Sequence, residues 1–183
     1  CDRRQRQMCI RDRIKGLGTD TLYLYGMDEL YDRIDTIYVE NDKFSYTTSV
    51  DTITSAYLLL KNRIEYPVFL DKGNKIKIKG DTINLNFLTI SGNIYNEEFT
   101  DFQKALEDPA DPSEKAGEET VDKRITVEKA NTAEEMAEEF ILQHHSSYVS
   151  LYLLDKYFVQ KETPDFSKIK KLVEVMTLSL IHI

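Results

Sequence analysis

Tyr66-Pro-Val-Phe-Leu-Asp-Lys-Gly-Asn-Lys-Ile-Lys-Ile-Lys-Gly80 is the stretch whose reading decides the fold. Val68, Phe69 and Leu70 form a short apolar run. Asp71, Gly73 and Asn74 are turn residues, and glycine takes the positive φ that a four-residue connection usually needs. Lys75 to Lys79 then alternates at period two, with Ile76 and Ile78 on one face and three lysines on the other. This predicts two strands of a half-buried antiparallel sheet joined as a hairpin. Phe69 and Ile78 are expected to anchor the core from its two arms.

Working outward, the flanking segments read as further strands. Ile14 to Gly18 is the end of a strand running into a glycine-rich turn. Thr21 to Gly26 alternates, Met27 to Arg33 is a polar connection, and Ile34 to Val39 is the next strand. Glu40-Asn41-Asp42 turns it into Lys43 to Thr47. Thr52 to Leu60 and Asn84 to Gly92 complete the set. Strands separated by turn signals at this spacing predict an antiparallel β-sandwich or open barrel over 14–92.

At Asn93 the pattern changes. Phe99, Phe102 and Leu106 share one helical face in a predicted helix over 93–107. Residues 108–120 are acidic and broken by Pro109 and Pro112, which reads as a mobile linker. Thr132-Ala133-Glu134-Glu135 fits a capping box opening a helix to about Gln143. Ser146 or Ser147 caps the next helix, which carries Val149, Tyr152, Leu153, Lys156 and Tyr157. Thr163-Pro164-Asp165 opens a third, with Ile169, Leu172, Val173 and Met176 at helical spacing. Residues 121–177 therefore read as a helical connector, and the whole as an α+β chain.

The two ends differ from the rest. Residues 1–13 hold five Arg against two Asp, and taking that +3 from the chain's net −8 leaves −11 for the remainder. They could be a basic arm or a lipoprotein start at Cys1. The favoured expectation is a non-native leader resembling translated adapter sequence, with 178–183 a non-native tail of the same kind.

Composition excludes several classes. A net charge of −8 and a pI near 5.0 argue against nucleic acid as the main partner. No apolar run is long enough for a transmembrane helix. The only cysteines are Cys1 and Cys9, which form no Cys-x-x-Cys pair and cannot complete a zinc site. No cofactor and no metal are expected.

Each candidate for chemistry has a simpler reading beside it. Adjacent His144 and His145 point about 100° apart on a helix, so they do not share a metal, and interaction with the helix C-terminus explains them. Glu29, Asp32 and Asp35 hold the carboxylates of a hydrolase pair only if they converge, and otherwise are solvated acids. Asp71 to Asn74 lacks the twelve-residue calcium pattern. Gly16-Leu17-Gly18 precedes a strand and is no phosphate loop. Ser146-Ser147 lacks a nucleophile-elbow context. Lys75, Lys77 and Lys79 form an anion-binding row, a solvated face, or an edge protected against aggregation. No residue is assigned a catalytic, cofactor-binding or metal role.

Three stretches together carry a resemblance. They are Asp35-Thr36-Ile37 with Lys43-Phe44-Ser45-Tyr46, Phe69 to Gly80, and Ile90-Ser-Gly-Asn-Ile-Tyr-Asn-Glu-Glu-Phe99. In this order they resemble the domain of unknown function that precedes the thioredoxin-like domain in Bacteroidetes-type envelope thiol–disulfide oxidoreductases. Ser147-Tyr-Val-Ser-Leu-Tyr-Leu-Leu154 is similar to the helical connector that follows it. The resemblance covers about Ile14 to Met176. It implies an envelope or periplasmic location, a lipid anchor in the parent protein, and a downstream thioredoxin-like domain as partner, with envelope proteins or self-association as further partners. In such proteins the chemistry resides in the Cys-x-x-Cys of that later domain, which this sequence does not include, so no catalytic residue carries over. The expectation is a non-catalytic accessory domain. The alternative is a stand-alone envelope module that uses its β-domain to bind a ligand or glycan.

Overall fold

The computed structural model describes residues 7–26, 29–60, 63–85, 87–107 and 122–180. The chain divides into two compact units, the first ending at Asp101 and the second beginning at Phe102. The first unit is an eight-stranded sheet: β1 (Gln7–Lys15), β2 (Asp20–Gly26), β3 (Ile34–Glu40), β4 (Lys43–Ser49), β5 (Thr54–Leu59), β6 (Glu65–Leu70), β7 (Lys75–Asp81) and β8 (Thr89–Ser91). Helix α1 (Ile94–Glu107) follows. The second unit holds α2 (Asp122–Gln143), α3 (Tyr148–Leu154) and α4 (Phe166–Leu180). The architecture is α+β, and the sheet is an almost closed barrel. The barrel is one continuous eight-stranded sheet, in line with the expected sandwich or open barrel.

The strand order is β6-β5-β2-β3-β4-β1-β7-β8. Two expectations change here. The Tyr66–Gly80 stretch does form two strands, and Gly73 takes a φ of 75° in the turn between them. They are not hairpin partners: β6 pairs with β5, and β7 pairs with β1 and β8. Alternation fixes which face of a strand is buried, but it carries no information on which strand lies beside it. In addition, β1 runs parallel to β7, Cys9 opposite Lys75 through Lys15 opposite Asp81, so the sheet is mixed. The expected boundary at residue 14 also moves. Residues 7–13 belong to β1 between β4 and β7, with Met8, Ile10 and Ile14 fully buried.

The interior is set by period-two patterning. Leu22, Leu24, Ile37, Val39, Leu58, Val68, Ile76 and Ile78 each have at most 1 % of their surface exposed. The β3–β4 turn places both Asn41 and Asp42 at positive φ (52° and 68°), the two-residue hairpin geometry that Asn and Asp tolerate. Asp42 then reaches back to lock the Gly16–Gly18 loop: its Oδ1 accepts from Gly18 N at 2.7 Å, and Oδ2 pairs with Arg13 at 3.1 Å. These bonds hold the Asp42 carboxyl below its usual range, the Gly18 amide being the main cause.

The barrel is closed by side chains. The Tyr66 hydroxyl, from edge strand β6, donates to Leu88 O (2.9 Å) and accepts from Leu88 N (3.1 Å) just before edge strand β8. Helix α1 completes the seam. Asn96 Oδ1 accepts from Phe69 N at 2.9 Å, and its Nδ2 donates to Phe69 O at 2.8 Å. One turn later Thr100 Oγ1 accepts from Ile90 N and donates to Ile90 O, both at 3.0 Å. An i, i+4 pair on one helix face thus serves both edges as a neighbouring peptide would. Asn93 caps α1 by accepting from Asn96 N at 2.9 Å, and Phe99 packs edge-on to Tyr66 and Phe69. Gly92 is required before it: at φ 112° a Cβ there would lie 2.2 Å from Lys75 O.

In the second unit, α2 starts ten residues earlier than the capping-box reading placed it, so Thr132 lies inside the helix. No proline or glycine occurs between Gly117 and Gln143 to stop it. The predicted cap at Ser147 is observed, its Oγ accepting from Val149 N at 3.2 Å. Asp165 caps α4 through Ser167 N and Lys168 N. The α3 helix continues into one wide π turn at Asp155–Val159. Ala137, Ile141, Val149, Leu153 and Phe158 form the core with Leu172 and Met176. The acidic segment 108–120 lies outside the described residues.

Candidate functional site: the polar mouth of the barrel

Among the described residues, β3 and β4 pair only next to their turn, Val39 with Phe44 and Glu40 with Lys43. Further along, β3 stays with β2 as far as Tyr25–Ile34, and β4 stays with β1 as far as Gln7–Ser49. The two strands therefore part, and side chains occupy the gap at one end of the barrel. Asp35 is in phase with buried Ile37 and Val39, and Tyr46 and Thr48 are in phase with buried Phe44. All three are polar residues at inward positions.

The segment before β3 supplies the rest. A single helical turn, Glu29–Tyr31, sets Tyr31 under the mouth with 4 % exposure, and Gly26 lets it approach: a Cβ there would lie 1.9 Å from Tyr31 O. The Tyr31 hydroxyl donates to Asp35 Oδ2, which also pairs with Arg33 Nε at 3.1 Å. The Arg33 guanidinium stacks on the Tyr31 ring at 4.7 Å, donates to Thr48 Oγ1, and donates to Ser49 O at 3.2 Å. Burial, then the bond to Asp35, push the Tyr31 phenol well above its ordinary pKa, and the same two causes raise Tyr46. Beside this network is a cavity of about 410 Å³ lined by Leu30–Arg33 and Ser49–Thr52. Arg33 is held from several sides while its side chain stays 45 % exposed. A fixed cation with open donors, flanked by the carboxylates of Asp32 and Asp51, is equipped to bind and orient a polar molecule.

The structure also places the residues singled out from sequence. Asp35 is tied to Tyr31 and Arg33, Asp32 lines the cavity, and the Glu29 side chain lies outside what is described. Gly18 of the glycine-rich loop donates its amide to Asp42, an internal carboxylate. In the Asp71–Asn74 turn, Asp71 Oδ1 accepts from Lys72 N at 2.7 Å. Lys75, Lys77 and Lys79 lie on the outward face of β7, which β1 and β8 flank, so β7 is not an edge strand and edge protection does not explain them. The His144 ring stacks on Phe140 at 4.4 Å, while His145 and Ser146 line an apolar hollow of about 200 Å³ with Leu151, Leu154, Val173 and Met176. Cys9 Sγ lies 4.0 Å from Ser45 Oγ. Among the described residues, no three His, Cys, Asp or Glu side chains are grouped to hold a metal.

Sequence reading missed Tyr31, Arg33, Tyr46 and Thr48. The signal was present, because Asp35, Tyr46 and Thr48 interrupt the inward phase of their strands with polar side chains.

Residues 10–99 match the family model described as a domain of unknown function (DUF4369). The matched region runs from the middle of β1 to Phe99, so it takes in the barrel mouth together with Asn93 and Asn96 of the seam. No curated protein matches the chain.

Proposed function

We propose that this chain is a non-catalytic accessory region of an envelope thiol–disulfide oxidoreductase, which positions a thioredoxin-like domain or selects its partners. The observation that carries the reading is the match of residues 10–99 to a domain of unknown function, over the stretches whose order resembles the N-terminal domain of those enzymes. The chain's own chemistry agrees with it. Thiol–disulfide exchange needs an attacking and a resolving thiol, and among the described residues the only cysteine is Cys9, whose Sγ lies 4.0 Å from Ser45 Oγ.

Reading the gene past the codon for Thr177 tests the proposal. A thioredoxin-like domain with Cys-x-x-Cys is expected there, and a natural stop codon at that point would overturn it. The non-catalytic part has its own assay. Residues 7–177 are expected to reduce insulin no faster than a thiol-free control, and turnover above that control would exclude the accessory role.

The barrel mouth favours a second reading, a stand-alone envelope module that binds a ligand. A fixed, half-open Arg33 beside a cavity of about 410 Å³ supports it. The stop codon that overturns the first reading is the result this one expects.

A further inference from the structure

We propose that the barrel mouth binds a neutral, polyhydroxylated ligand, a saccharide unit, in the cavity between Leu30–Arg33 and Ser49–Thr52. The inference deepens the binding-module reading and rests on it, and it does not require a thioredoxin-like domain.

Charge narrows the ligand class. The exposed Asp32 and Asp51 carboxylates flank the cavity, and Asp35 lies behind Arg33, so an anion would meet repulsion from both rims. Asp32, Asp35 and Asp51 outnumber Arg33, so charge alone does not turn a cation away, but an ammonium group carries only donors and has no acceptor to offer the guanidinium. A neutral ligand with several hydroxyls avoids the repulsion and supplies the acceptor. Each hydroxyl can donate to a carboxylate and accept from the guanidinium or from Ser49 and Thr52, because a hydroxyl does both.

Shape and apolar contact agree. The cavity of about 410 Å³ falls in the range of small-molecule sites, roughly 300–1,000 Å³, which recur in barrel mouths. Leu30, 62 % exposed, and Val50 give it an apolar side for the C–H face of a sugar ring. The wall is also organised in advance. Arg33 is already held by Asp35, Thr48, Ser49 and the Tyr31 ring, so little side-chain freedom remains to be lost on binding.

The test is a titration of the chain, followed through backbone amide resonances, with glucose, galactose, mannose, N-acetylglucosamine, cellobiose and maltose. Acetate and butylammonium serve as the charged comparisons. At least one sugar is expected to shift the amides of 30–35 and 49–52 saturably, and neither ion should. Asp51→Asn should weaken that sugar about tenfold, the equivalent of one charge-assisted hydrogen bond. Asp51 is exposed and outside the Arg33 network, so the variant should fold, and an unchanged spectrum elsewhere verifies this. Thr52→Ala is a second variant on the same rim and should weaken the sugar as well. Sugar shifts confined to other residues, or sugar affinity unchanged in both variants, would overturn the proposal. If acetate or butylammonium shifts the mouth and no sugar does, the saccharide class falls and the binding module stands. If nothing perturbs the mouth, both fall.

Discussion

Asn96 has 1 % of its surface exposed, yet it is a polar residue on the buried face of a helix. Its amide answers the N–H and the C=O of Phe69 together, and Asn93 Nδ2 shares the carbonyl at 2.9 Å. Asn96→Ala leaves the Phe69 N–H buried without that partner, which costs roughly 1–3 kcal/mol out of a domain margin of roughly 5–15. Urea denaturation of the variant should show a lower midpoint with little change in slope. An unaltered midpoint would mean that water replaces the amide. Ile78 and Lys77 make a second pair of tests. Ile78 is fully buried and Lys77 exposed, so Ile78→Ala should cost roughly 2–5 kcal/mol and Lys77→Ala within about 0.5. If the lysine variant were the more destabilised, β7 would have to face the other way. Here the sequence was fully legible, because period-two alternation determines facing without any knowledge of the neighbouring strand. The role of Asn96 was not legible. It depends on where β6 ends up, and nothing local to residues 93–100 encodes that.

At the scale of elements, the least legible fact was the separation of β6 from β7. The turn between them is as expected, with Asp71, Gly73 and Asn74 in turn conformation. Yet β7 lies against β1, from the start of the chain, and β6 against β5. Pairing of that kind depends on the whole set of strands competing for edges. The Ser91-Gly92-Asn93 stretch shows the reverse case, a signature noticed in the sequence whose reason appears only in three dimensions. Gly92 lets β8 turn into α1 directly against Lys75. Gly92→Ala places a methyl group against backbone at positive φ, where strain alone costs of order 1–3 kcal/mol. The variant is expected to lower the thermal midpoint of the first unit by several degrees, measured by near-ultraviolet circular dichroism on its tyrosines. An unshifted midpoint would show that β8 is free to move away. The start of α2 was missed for another reason: a capping-box pattern at Thr132 is also compatible with helix interior when no breaker precedes it.

At the scale of the molecule, shifted groups tie stability to pH at both ends of the range, and one test can be made in each unit. In the barrel, Tyr31 and Tyr46 have pKa values raised chiefly by burial and then by Asp35. A raised folded-state value means the folded form keeps its proton where the unfolded chain loses it. The associated stability is therefore complete below the ordinary phenol value of 10.0 and is lost as pH climbs past it. In the helical unit, Glu134 binds Lys161 and Lys168, and its carboxyl is lowered chiefly by the bond to Lys161. Its contribution is present above the ordinary carboxylate value of 4.5 and fades as pH falls below it. Denaturation midpoints followed against pH should show the alkaline decline diminished in Tyr31→Phe and the acid decline diminished in Glu134→Gln. Loss of both declines in either variant would mean that the units do not titrate separately.

The seam made by α1 also bears on synthesis. Asn96 and Thr100 are translated after all eight strands, so a nascent barrel leaves the ribosome with β6 and β8 still presenting bare backbone. Until Thr100 has emerged, those two edges are free to recruit the edges of other nascent chains on the same message. Any expression boundary placed between Ser91 and Thr100 would make that interval permanent. A barrel cut before Thr100 is therefore expected to aggregate, although no strand of the sheet lies within its first helix.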